Sequence, residues 1–155
     1  MSDDAILVVT APEAIFVVVA EEVTSVVESI AQGPPGPPGG GVITVTAGQN
    51  LSGHRIVSAG AAGLAVYADK DLLTSVQKVL GLTTGAAASG ALVSIVPSGE
   101  ITEPSWTFDT DLPVYLGKSG ALTQMAPTTG AILQVGVALA STRLFIDIKT
   151  PIAQV

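Results

Sequence analysis

The sequence predicts a mainly β protein: a small β-sandwich or barrel domain with one short helix, preceded by an extended N-terminal tail and a polyproline II or collagen-like spacer. Three observations predict it. The run GPPGPPGGG, Gly33 to Gly41, is neither helix interior nor central strand, because proline fixes φ and removes a backbone donor. It cuts the chain into a tail, 1–32, a spacer, 33–41, and a body, 42–155. In the body, short β-branched segments alternate with Gly and Pro turns at intervals of about eight to twelve residues, the spacing of a small sandwich or barrel. Charged residues make up only 12% of the chain and aromatics 4%, so small and β-branched side chains build whatever core there is.

In the tail, residues 5–10 (AILVVT) and 15–20 (IFVVVA) read as strands of the fully covered kind, since alternation is weak. Two strands alone do not bury themselves, and an unpaired apolar strand invites association. A partner is therefore expected, either sister chains or a host surface, with Ile6, Val8, Ile15, Phe16 and Val18 as docking residues. Residues 21–31 stay open between a helical turn and a third strand. Val23, Val26, Val27 and Ile30 lie on one helical stripe, yet their β-branching favours a strand.

In the spacer, Gly33, Gly36 and Gly39 recur at every third position around Pro34, Pro35, Pro37 and Pro38. Three polyproline II chains wind together only with glycine at the axis; a stiff single-chain linker has the same composition. Two triplets span about 19 Å. A triple helix that short does not hold three chains by itself, so tail and body must add contacts.

The body opens with a strand at 42–46 and a turn at 48–53. Strands follow at 54–59 and 64–68 around the turn 60–63. Asp69 or Asp71 is placed to cap a short helix whose apolar spacing runs through Leu72, Leu73, Val76, Val79 and Leu80, with Gly81 ending it. Residues 91–96 read as a strand closed by Pro97 to Gly99. Residues 100–112, with Trp106 and Phe108, read as polar and irregular. Strands are expected at 113–116, 121–124 and 133–139, the first two joined at Lys118 to Gly120. The last, 143–149, alternates cleanly with Leu144, Ile146 and Ile148 on one face.

Net charge is −7, and residues 1–32 hold six acids and no Lys or Arg, while the remainder has seven acids against six bases. That balance argues against nucleic acid and suits a basic protein surface opposite the tail. No membrane insertion is expected: the uncharged runs Val79 to Gly99 and Ser119 to Thr142 are broken by Pro and crowded with Gly, Ser and Thr. The acidic start reads against a signal peptide. Cysteine is absent.

Candidate chemistry is sparse, and no enzyme, cofactor or metal is expected. His54 stands alone and reads as a surface or hydrogen-bonded histidine. Residues 81–90 are glycine-rich without the Gly-Lys-Ser/Thr ending of a phosphate loop, and read as loop and close packing. Asp109 and Asp111 beside Glu100 and Glu103 read as a solvated acidic loop rather than a calcium site. Trp106, Tyr67 and Tyr115 are either a sugar platform or core and subunit contacts; Trp106 and Tyr115 are retained as ligand or subunit contacts.

A short acidic β-rich tail, then GPPGPPGG, then the stretches VLGLTTGAAASGALVSIVPSGEITEPSW (79–106), PVYLGKSGALTQMAP (113–127) and LQVGVALASTRLFIDIKTPI (133–152), resembles virion proteins of tailed bacteriophages, among them small fibre and decoration proteins. The resemblance implies a homotrimer fixed to the particle by residues 1–32 and projecting its C-terminal domain. The site is the virion, assembled in the host cytoplasm. Only two full Gly-Pro-Pro triplets are present, which favours a compact projection over a long fibre shaft. A receptor- or carbohydrate-binding module, reading a host surface glycan, is the alternative.

Overall fold

The computed structural model describes residues 7–11, 14–18, 28–29 and 41–154. By contact the chain forms two compact units, Met1–Pro38 and Gly39–Val155. Gly33 to Gly39, Ile6 and most of 21–31 lie outside the described residues.

In the first unit, β1 (Leu7–Ala11) and β2 (Ala14–Val18) pair antiparallel, and β2 pairs with β3 (Glu28–Ser29). The two apolar segments of the tail are thus each other's backbone partners, with Val8 opposite Val17 and Phe16 opposite Val9. Within the ambiguous stretch 21–31, Glu28 and Ser29 are strand.

The second unit is mainly β. Its strands are β4 (Ile43–Thr46), β5 (Ile56–Ala59), β6 (Ala65–Tyr67), β7 (Val79–Thr83), β8 (Leu92–Val96), β9 (Ser98–Thr102), β10 (Pro113–Leu116), β11 (Leu122–Thr123), β12 (Ala131–Ile132), β13 (Gln134–Ala140), β14 (Arg143–Asp147) and β15 (Ile152–Ala153). They form two five-stranded sheets, β4-β8-β7-β5-β6 and β9-β14-β13-β10-β11, and a two-stranded ribbon, β12-β15. One short helix, α1 (Leu73–Val76), crosses between β6 and β7.

Several expectations are corrected. The helix stops at Val76, and Leu72, not an aspartate, stands at its N-cap without a side-chain cap bond. Val79, Leu80 and Gly81 join β7, because a central strand bonded to β5 and β8 outweighs four-residue apolar spacing. The same pairing turns the first part of the expected loop 81–90 into strand. Pro97 does end a strand, but only to change sheets: β8 ends at Val96 and β9 begins at Ser98. A residue without an N–H suits that corner. The expected irregular segment 100–112 therefore starts as strand, since β9 pairs with β14 through Thr102. Finally, the strand expected from His54 begins at Ile56, because His54 is left-handed (φ 57).

The two sheets are the same unit twice. Read from the outer edge, β4-β8-β7-β5-β6 and β9-β14-β13-β10-β11 match strand for strand. Ile43-Thr44 and Ile101-Thr102 occupy the same places, opposite Ile95 and Leu144 for the isoleucines. The β5–β7 pairing shifts register after Val57, and the β10–β13 pairing after Val114. Left-handed residues recur in step: His54 (φ 57) with Asp111 (φ 65), Ala62 (φ 53) with Ser119 (φ 50). At the centre of each sheet sits a glycine that admits no Cβ. On Gly81 a Cβ would run into the carbonyl of Val96, and on Gly136 into that of Phe145.

Two cores result, and they are not equivalent. The smaller holds Val57, Ala65, Ile95 and Leu51, the inner face of the first repeat and its covering loop. The larger holds the matching residues of the second repeat, Val114 and Leu144, with Phe108 and Leu122 packed on them. It also holds Ile56 and Leu82, which lie on the outer face of the first repeat. The repeats therefore stack in the same sense, the outer face of the first against the inner face of the second. Strand β5 is covered on both sides, with Ile56, Val57 and Ser58 all buried, whereas β14 alternates buried and exposed.

Candidate functional site

A cleft of about 470 Å³ lies where the repeats meet, lined by 53–55 of the first and by 105–108 and 121–122 of the second. Its first wall is a tight turn. The His54 N–H donates to the Thr83 carbonyl (2.8 Å), which holds the left-handed conformation. Buried Thr83 then ties the turn from both sides. Its hydroxyl accepts from the Arg55 N–H (3.0 Å) and donates to the Ser52 carbonyl (2.8 Å). Among the described residues no buried side-chain N or O lacks a partner. In the second repeat the matching turn at Asp111 is held by the same backbone bonds to Ala138, without the hydroxyl.

In the second wall the stretch 105–108 has no regular structure yet is fixed. The N–H groups of Glu103 and Phe108 donate to the carbonyls of Thr142 (2.9 Å) and Ser141 (2.9 Å), at the turn between β13 and β14. Gln124 bonds both the N–H and the carbonyl of Asp109 (2.8 Å each). Trp106 is thereby set against Phe108 (centroids 5.2 Å apart) and edge-on to His54 (5.5 Å, 78°).

Electrostatically the cleft is mixed. His54 Nε2 lies 3.3 Å from Glu103 Oε2. Hydrogen bonds from Ser105 hold the Glu103 carboxyl below its ordinary range, and the nearness of His54 adds to them. Glu103 therefore stays an acceptor at neutral pH and is poorly suited to donate a proton. The Arg55 guanidinium also lines the cleft, half-buried, and makes no hydrogen bond or ion pair among the described residues. A free, half-buried guanidinium beside two aromatic rings is suited to a planar anion carried on an apolar body.

The expected site residues fall in different places. Trp106 lines the cleft, half-buried. Tyr115 does not; it is half-buried in β10, opposite Thr123 and Gln134. Tyr67 packs on the smaller core, and its hydroxyl accepts from the Ser52 N–H (2.7 Å). Val8, Ile15, Phe16 and Val18 lie in β1 and β2. The acids near 100–111 go separate ways: Glu100 pairs with Arg143 (2.8 Å), and Glu103 with His54. Among the described residues no three His, Asp or Glu side chains converge as a metal set. The His54 imidazole lies beside Glu103 in a cleft it shares with Arg55. About fifty residues separate it from Trp106, and only the stacking of the repeats joins them.

A second cluster is purely cohesive. Asp71 receives Lys70 (2.7 Å) and Lys118 (2.9 Å), and Lys70 also donates to the Thr129 carbonyl (3.0 Å). The Lys70 bond, then that of Lys118, holds the Asp71 carboxyl below its usual range, and Asp71 raises Lys118. No family model matches this chain, and no curated protein matches it.

Proposed function

We propose that this is a non-enzymatic structural protein of a tailed-phage virion, a homotrimeric head- or tail-attached fibre or decoration protein. Residues 1–32 dock it to capsid or tail proteins, the Gly-Pro-Pro run spaces it, and the β domain projects. The resemblance of 79–152 to phage structural proteins supports the virion half of this reading. The observation that carries the self-association half is one row of side chains. On the outer face of the second repeat Pro113, Val137 and Phe145 stand side by side, and Phe145 is 39% exposed. The same row in the first repeat contains Ile56 and Leu82, both fully buried. An apolar row that is core in one repeat and surface in the other is a contact awaiting a partner. Deleting 1–32 tests the docking role: the truncated protein should keep its oligomeric mass and fail to enter particles. Normal incorporation of the truncated protein contradicts it.

The cleft favours a second role, recognition of an acidic saccharide on a host surface. The Arg55 guanidinium suits a uronate carboxylate, and Trp106 and Phe108 suit the apolar face of the sugar ring. Trp106 is the sole tryptophan, so its fluorescence reports binding directly. Trigalacturonate should bind about tenfold more tightly than neutral galactotriose, and Arg55→Gln should abolish the difference. No saturable change with either sugar contradicts the saccharide role and leaves the structural one.

A further inference from the structure

The geometry points to a head-to-tail contact between copies: the row Pro113, Val137 and Phe145 of one copy packs on the loop-capped side of the first repeat of the next, over residues 84–89. The inference rests on the homo-oligomer reading and adds which faces meet. Within one chain the matching row, Ile56 and Leu82, is already covered by the inner side of a repeat. The surface known to accept such a row is thus the inner side of this same unit. The second repeat's inner side is taken by the first repeat. Among the described residues of its unit, the first repeat's inner side is closed by its own loops, where Leu51 and Ala87 exchange backbone hydrogen bonds (2.8 and 2.9 Å). Beside that bridge, residues 84–86 and 88–89 are small or hydroxylic and exposed, so a neighbouring sheet can approach closely.

Symmetry and charge agree. A contact of one patch with itself joins copies only in pairs, whereas three copies close by joining two different patches. The row is flanked by Arg143 paired with Glu100 and by Lys149 paired with Asp147. Its charges are neutralised within the chain, so no like-charge repulsion opposes a second copy.

The chain has no cysteine, which makes engineered thiols unique. Full-length Ala88→Cys and Phe145→Cys proteins, mixed and treated with a short bismaleimide, should give an 88–145 link as the main product. Full-length Phe145→Glu should sediment as a single chain at concentrations at least tenfold above those where the unmodified protein stays assembled, with an unchanged far-UV circular dichroism spectrum. Phe145→Ser replaces it if the glutamate unfolds the domain. Only 145–145 links, or an assembly untouched by Phe145→Glu but released by deleting 1–32, overturns the proposed faces and leaves the homo-oligomer. A single-chain mass for the unmodified protein at every concentration overturns the homo-oligomer itself.

Discussion

The first and second repeats share strand order, register shifts and left-handed positions, yet they are stabilised differently. Strand β5 of the first is buried on both faces, while in the second Pro113 and Tyr115 stay half-buried on the outer side of β10. The comparison teaches that burial here follows position in the stack rather than local sequence. The first repeat is interior because the second lies on it. The second keeps an apolar outer face because nothing in the described residues of its own unit covers it.

The largest test of the equivalence is at the paired glycines. Gly81→Ala and Gly136→Ala should each cost about 4 kcal/mol or more in urea unfolding, because the added methyl meets backbone rather than a movable side chain. Gly81 should suffer more, since its φ of 146 is also unfavourable for alanine. If either substitution is silent, the two central strands are not built alike.

The next effect separates the two rows. Leu82→Ala should destabilise by about 3 kcal/mol, as for a fully buried leucine, while Val137→Ala at the matching outer position should cost under about 1 kcal/mol in dissociated protein. Equal losses would mean that the outer face is covered within one chain. A smaller effect is expected at the cleft turn. Thr83→Val removes the hydroxyl that serves Arg55 and Ser52, and should cost about 1–2 kcal/mol and shift the amide resonances of 52–55. The second repeat has Ala138 at this place, so Ala138→Ser should bring no matching gain.

The smallest effect concerns the shared turn. Ala62 and Ser119 both sit at positive φ. Ala62→Gly should stabilise by about 0.5 kcal/mol, relief of strain exceeding the entropy that glycine adds to the unfolded chain. Ser119→Gly should give a similar gain, because its backbone N–H bond to Asp69 (3.2 Å) is kept by glycine.

Much of this architecture was legible in the residues. Alternation placed β14 with Leu144 and Ile146 inward, and Gly and Pro marked the turns at 60–63, 97 and 118–120. The helix was overextended because Leu72, Leu73, Val76, Val79 and Leu80 satisfy helical spacing, while the strand pairing that overrides it is a long-range property. The duplication was not legible. Few identities survive between the repeats, chiefly Ile-Thr, Gly-x-x-Gly and the central glycine, and the spacing between matched residues shrinks along the chain. The cleft was missed for the same reason: Arg55 and Trp106 belong to different repeats, and no local pattern links them.

The molecular mass of the unmodified full-length protein, measured by light scattering across micromolar concentrations, shows whether copies associate through the exposed row. An open apolar row that is core elsewhere in the same chain predicts about three times the single-chain mass of 15.5 kDa. A constant mass of one chain over that range would contradict it.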